Sequence, residues 1–92
     1  MNNELNIKKA EIFKALSNPV RLEILNTLLY GEKCVCEIIK TLNKYEQPHI
    51  SKSLTKLKKV GLIEERKEGL KVFYKLKCNC IKDFLNCLNN II

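Results

Sequence analysis

The sequence is poor in the groups that a catalytic centre needs. It has one histidine, His49, no C-x-x-C pair, and only three glycines, none arranged as a phosphate-cradling loop. General-base, dithiol and phosphoryl chemistry therefore lack a residue set, and an enzyme is not expected. No apolar run approaches the roughly 20 residues of a membrane span, and Met1-Asn2-Asn3-Glu4 is polar where a secretory signal is basic and then apolar. A cytoplasmic location with no membrane partner is the expectation. With 92 residues the chain is too short for a large multidomain enzyme. Residues 1–92 are read as one domain, because 46% hydrophobic content suffices for a single compact core and no repeat, low-complexity tract or linker interrupts it.

Positive charge and thiol are in excess. Seventeen Lys and Arg face ten Asp and Glu, for a net charge of +7. Residues 40–77 hold eleven basic and four acidic side chains, whereas the remainder holds six of each, so the whole net charge lies in one segment. Such segregation is the footprint of a face that meets phosphates, with nucleic acid favoured over an anionic membrane surface. Fifteen of the seventeen basic residues are lysine, which predicts affinity from phosphate neutralisation rather than bidentate guanine reading.

Hydrophobic spacing supplies the order of elements. Leu5, Ile12, Phe13 and Leu16 recur at helical spacing in a first helix from Glu4 to Leu16. Asn18-Pro19 caps and opens a second helix to about Leu29, because Asn accepts from the free N–H groups and Pro needs none. After Gly31 a short third helix covers Glu32–Leu42, and Pro48 opens a fourth whose Ile50, Leu54 and Leu57 share one face. Gly61 ends it. Two β-prone runs, 62–67 and 70–76, flank the turn dipeptide Glu68-Gly69, and Ile81, Phe84, Leu85, Leu88 and Ile91 restore the helical repeat in a fifth helix.

This order, mainly α with a small β-hairpin, is that of a winged helix-turn-helix. A major groove about 12 Å wide admits one helix, and the fourth helix presents Gln47, Pro48, His49, Lys52, Thr55, Lys56 and Lys59 to it. Ser51 and Ser53, at its sides, suit phosphate contacts. The wing carries Arg66, Lys67 and Lys71 toward backbone or minor groove. The first and fifth helices keep apolar stripes that so small a domain hardly covers, which predicts a homodimer paired through them. Twofold pairing places two reading helices about 34 Å apart on double-stranded DNA and so predicts a pseudo-palindromic operator.

The segments that carry these features resemble the ArsR/SmtB winged helix-turn-helix repressors. Residues 13–25, with Ala15-Leu16, Pro19 and Arg21-Leu22, are similar to the family's "ALxxPTRLxIL" opening, and Gln47-Pro48-His49-Ile50-Ser51-Lys52-Ser53-Leu54 resembles its "QPxVSxHL" reading helix. Leu57–Leu62 and the wing fit as well, so residues 10–80 are covered. Ser53 stands where the family commonly has His. The resemblance implies a repressor that needs no cofactor to bind DNA and is released by a metal or metalloid: arsenite, cadmium, lead or zinc.

The five cysteines are the candidate ligands. A reducing cytosol favours metal ligands or redox-active thiols over structural disulfides, against the alternative of small buried hydrophobes. Glu32-Lys33-Cys34-Val35-Cys36 looks like the family's "ELCVCDL" metal box, with Ile39 where arsenite-binding relatives have a third Cys. Residues i and i+2 of an intact helix point about 200° apart, so chelation by Cys34 and Cys36 is expected to unwind the first turn of a helix lying beside the reading helix. Cys78, Cys80 and Cys87 form either a trigonal site of their own or, with Cys34 and Cys36 of the same or partner chain, a four-sulfur site. Two other readings stay open: a thiol-redox or persulfide-sensing repressor, and a metal-trafficking or thiol-redox protein whose basic face is incidental.

Overall fold

The computed structural model describes residues 3–92, so Met1 and Asn2 of the polar N-terminus lie outside the described residues. Five helices and three strands follow the order α1 (Asn3–Leu16), α2 (Pro19–Thr27), β1 (Lys33–Cys34), α3 (Val35–Thr41), α4 (Gln47–Lys59), β2 (Ile63–Glu68), β3 (Lys71–Leu76) and α5 (Asn79–Leu88). The expected winged helix-turn-helix forms, with the winged part enlarged by β1 into a three-stranded antiparallel sheet of order β1-β3-β2.

Local chemistry explains most boundaries. The Asn18 side chain accepts from the N–H groups of Val20 and Arg21 at 2.9 and 3.2 Å and sets the start of α2. That helix stops at Thr27, two residues before the expected end, and Leu28–Tyr30 make a turn into Gly31, whose φ of 142° is open to glycine alone. In the hairpin Glu68 pairs with Lys71, so the two-residue loop is Gly69-Leu70, one position later than Glu68-Gly69. Gly69 takes the positive φ at the first loop position, as a II′ turn requires. Helix α5 ends at Leu88 rather than Ile91.

One core joins these elements. Ile24, Leu25, Leu28, Ile38, Ile50 and Leu57 are fully buried, with Ala15 of α1, Leu62, Ile63 and Tyr74 of the sheet region and Leu85 of α5 around them. Helix α2 is the hub, packing on α1, α3 and α4, and β2 also packs on α4.

Tyr74 shows how the wing is fixed to this core. Its hydroxyl donates to Glu65 of the adjacent strand at 2.8 Å, and burial, then that carboxylate, pushes its pKa up to about 12. An unfolded chain loses this proton near the ordinary value of 10.0. Between the two values the native state binds more protons than the unfolded one, so stability falls as pH rises from about 10 toward 12. Chemical denaturation across that range, with and without Tyr74→Phe, is expected to show a smaller alkaline loss in the variant, the remainder coming from Tyr45 and Lys44, whose pKa values are also raised by Glu23.

Candidate nucleic-acid interface and thiol site

Helix α4 divides by face. Ile50, Ser53, Leu54 and Leu57 are buried, and Lys52, Thr55, Lys56 and Lys59 are exposed on the other side beside His49, Gln47, Pro48 and Ser51. Ser53 corrects the sequence reading. Three residues after Ile50 and four before Leu57, it lies on the inward face at 6% exposure and is removed from the phosphate-facing set. Thr55 donates its hydroxyl back to the Ser51 carbonyl at 3.0 Å.

The turn before α4 is anchored to α2. Tyr45 donates its hydroxyl to Glu23, Lys44 Nζ lies 3.0 Å from the same carboxylate, and the Tyr45 ring meets the edge of His49 at 5.9 Å. The bond from Tyr45, then Lys44, holds the Glu23 carboxyl below its usual range. Glu23 and Tyr45 were not legible as site residues because their contact spans 22 positions.

Among the described residues, Lys52, Lys56, Lys59, Lys67 and Lys71 are exposed and make no ion pair. The first three share one face of α4 and the last two flank the wing tip, where Leu70 is fully exposed. Lys58, by contrast, pairs with Glu65 at 3.1 Å. Arg66, expected to face DNA, is engaged by Glu32 and Glu68.

The first thiol pair is placed differently from a helical C-x-C. Cys34 ends β1, pairs with Phe73 of β3, and serves as the extended N-cap of α3 with φ −69° and ψ 148°, so only Cys36 is helical. Glu37 reaches back to accept the Cys34 N–H at 3.1 Å. The two sulfurs already lie 3.1 Å apart with the helix intact, which replaces the expected unwinding. Cys36 donates to Cys34. That bond, aided by the charge of Lys71, lowers the Cys34 pKa, while donation raises that of Cys36. Cys34 is buried and Cys36 exposed. Helix α3 packs mainly on α2, β1 and β3. Its link to the reading helix is a groove of about 350 Å³ shared by Cys34, Cys36, Ile39, Gln47 and Lys71.

Cys78 and Cys80 are joined to each other by a disulfide at the start of α5, with Cys87 free and exposed two turns on. Bonded sulfurs have no thiolate to offer. Neither the trigonal nor the four-sulfur site is assembled within the chain, and no group of three or more His, Cys, Asp or Glu side chains converges among the described residues. What fits a thiophilic ligand is a two-sulfur clip at Cys34 and Cys36, one of its thiols acidified.

Residues 18–65, from the α2 cap through the reading helix into the wing, match the family model described as bacterial regulatory protein, arsR family. The chain belongs to the arsR family. Within it, the chain is 44% identical over 85 residues to an uncharacterized HTH-type transcriptional regulator of Methanocaldococcus jannaschii, covering 91% of this chain and 94% of that one. It is 36% identical to the arsenical resistance operon repressor of Staphylococcus aureus, over 87% of this chain and 76% of that protein. A winged helix-turn-helix DNA-binding domain from Mycobacterium bovis, described as homodimeric, superposes with a TM-score of 0.85 at 30% identity, covering 97% and 82%. These arsR-family relatives are transcriptional regulators, and no helix among the described residues is long and apolar enough to cross a membrane.

Proposed function

We propose that the chain is a homodimeric, sequence-specific repressor that binds a pseudo-palindromic operator in the cytoplasm and leaves it when a thiophilic metal or metalloid is held at Cys34 and Cys36. The observation that carries this reading is the shared groove. The paired sulfurs face the same space as Gln47, the first residue of the reading helix, and Lys71 of the wing. A ligand there disturbs both DNA-facing elements at once. Arsenite, cadmium, lead and zinc are the inducer classes suited to thiolates, and the similarity to an arsenical resistance operon repressor supports the first. DNA binding itself needs no cofactor, and no step is catalysed.

Pairing is supported by the apolar groove of about 380 Å³ between α1 and α5, lined by Ile12, Phe13, Leu16, Ile81, Phe84 and Leu85. Phe13 and Phe84 meet edge to face across it, 6.1 Å apart, yet remain 60% and 40% exposed. A second copy covers them.

The test is fluorescence anisotropy of a labelled duplex titrated with arsenite or cadmium. Cys34→Ser/Cys36→Ser is expected to keep DNA binding and lose release, and Cys78→Ser/Cys80→Ser/Cys87→Ser to keep both. Release that survives replacement of all five cysteines sinks the reading. The Cys78–Cys80 disulfide favours a second one, in which a thiol reductant delivers two electrons and two protons to that bond and alters the α5 interface. In that case a reductant shifts DNA affinity without metal, and the α5 triple variant abolishes the shift.

A further inference from the structure

Arg66 lies in β2 among lysines that are free to meet phosphates, but its own guanidinium is committed. Its Nη2 and Nε donate to the two carboxylate oxygens of Glu32 at 2.7 and 3.1 Å, and Nη1 donates to Glu68 at 3.0 Å. Its Cζ stands 4.4 Å from the centroid of the Phe73 ring. Every guanidinium nitrogen has a carboxylate partner and one face has a ring, so a phosphate contact would require leaving a bidentate pair.

The partner's place in the chain gives the pair its meaning. Glu32 comes from the segment just before β1, 34 residues away, and Phe73 pairs with Arg66 on one side and with Cys34 of β1 on the other. Three strands are thereby clasped on one face. The clasp fixes the hairpin at the Arg66–Phe73 pair, one register position before the Lys67–Val72 pair and two before Lys71.

We infer that Arg66 is a positioning residue of the wing, held by Glu32 and Phe73, and makes no phosphate contact of its own. This inference rests on the DNA-binding reading above. It reverses the sign expected for Glu32. By field alone, removing a carboxylate from a DNA-binding protein raises affinity. If Glu32 holds the wing in place, removing its charge lowers it.

The experiment measures the dissociation constant of the full chain over a salt series, on a duplex of about three helical turns selected by the wild type from a random pool. Glu32→Gln, Arg66→Lys and Arg66→Ala are compared with the wild type, and thermal melts confirm that each folds. Glu32→Gln is expected to weaken binding about three- to fivefold, the scale of a good surface pair, with the slope of log K against log salt unchanged. Arg66→Ala weakens it by at least as much, again at constant slope, and Arg66→Lys, which keeps the charge but not the fork, does not restore it. Equal or tighter binding by Glu32→Gln overturns the proposal, as does a slope reduced by about one in Arg66→Ala, the mark of a lost phosphate contact. A wild type without salt-dependent binding overturns the DNA-binding reading and this inference together.

Discussion

Phe13→Asp/Phe84→Asp is expected to yield a folded monomer that binds operator DNA about 10²- to 10⁴-fold more weakly, the factor that tethering two reading heads supplies. Both rings are more than a third exposed, so charging them leaves the core intact. In a dimer the same positions sit in apolar contact, where an unpaired carboxylate is costly to bury. Sedimentation or light scattering reads the oligomeric state, anisotropy the affinity, and circular dichroism the fold. A double variant that remains dimeric at wild-type affinity places the interface elsewhere.

The second large effect concerns stability. Leu57 is completely buried where α4 meets the α2 hub, and Leu57→Ala is expected to cost about 2–5 kcal/mol, the transfer term plus the cavity left behind. For a domain of this size about 1 kcal/mol moves the melting temperature by roughly 4–8 °C, so a fall of at least about 8 °C follows. Lys56→Ala, one position earlier but outward-facing, is expected to leave the melting temperature nearly unchanged. Calorimetry of the two variants side by side checks that the inward and outward faces of α4 are assigned correctly.

The sequence exposes those features of the fold that depend on neighbours in the chain. The Asn18-Pro19 cap, the apolar face Ile50/Leu54/Leu57 and the hairpin signal around Gly69 each involve residues within a few positions, and each appears in the structure nearly where local rules put it. Strand β1 was invisible because two residues carry no period. It exists through pairing with β3, about forty positions later, and that pairing draws Cys34 out of the helix its spacing suggested. The same reason hides Glu23 with Tyr45 and Glu32 with Arg66. Charge segregation marks residues 40–77 as the basic region but does not separate Lys67 and Lys71, which make no ion pair among the described residues, from Arg66 and Lys58, which are paired. Ser53 needed only stricter use of helical spacing.

The position of Cys34 at a strand end, with its sulfur beside that of Cys36, bears on how a sensor trades affinity against leverage. A clip formed in advance spends no free energy on opening a helix turn, so a ligand keeps its full intrinsic affinity. A ligand that fits the DNA-bound form perfectly, however, moves no equilibrium, because only the difference in affinity between two states does so. Under the proposed function, whatever distortion the ligand imposes on β1 and the start of α3 is the whole of the coupling. Linkage makes that coupling reciprocal. The operator must loosen the protein's hold on its inducer by the same factor by which the inducer loosens its hold on the operator, and a chromosome rich in operator-like sites would act as a competitor for the metal.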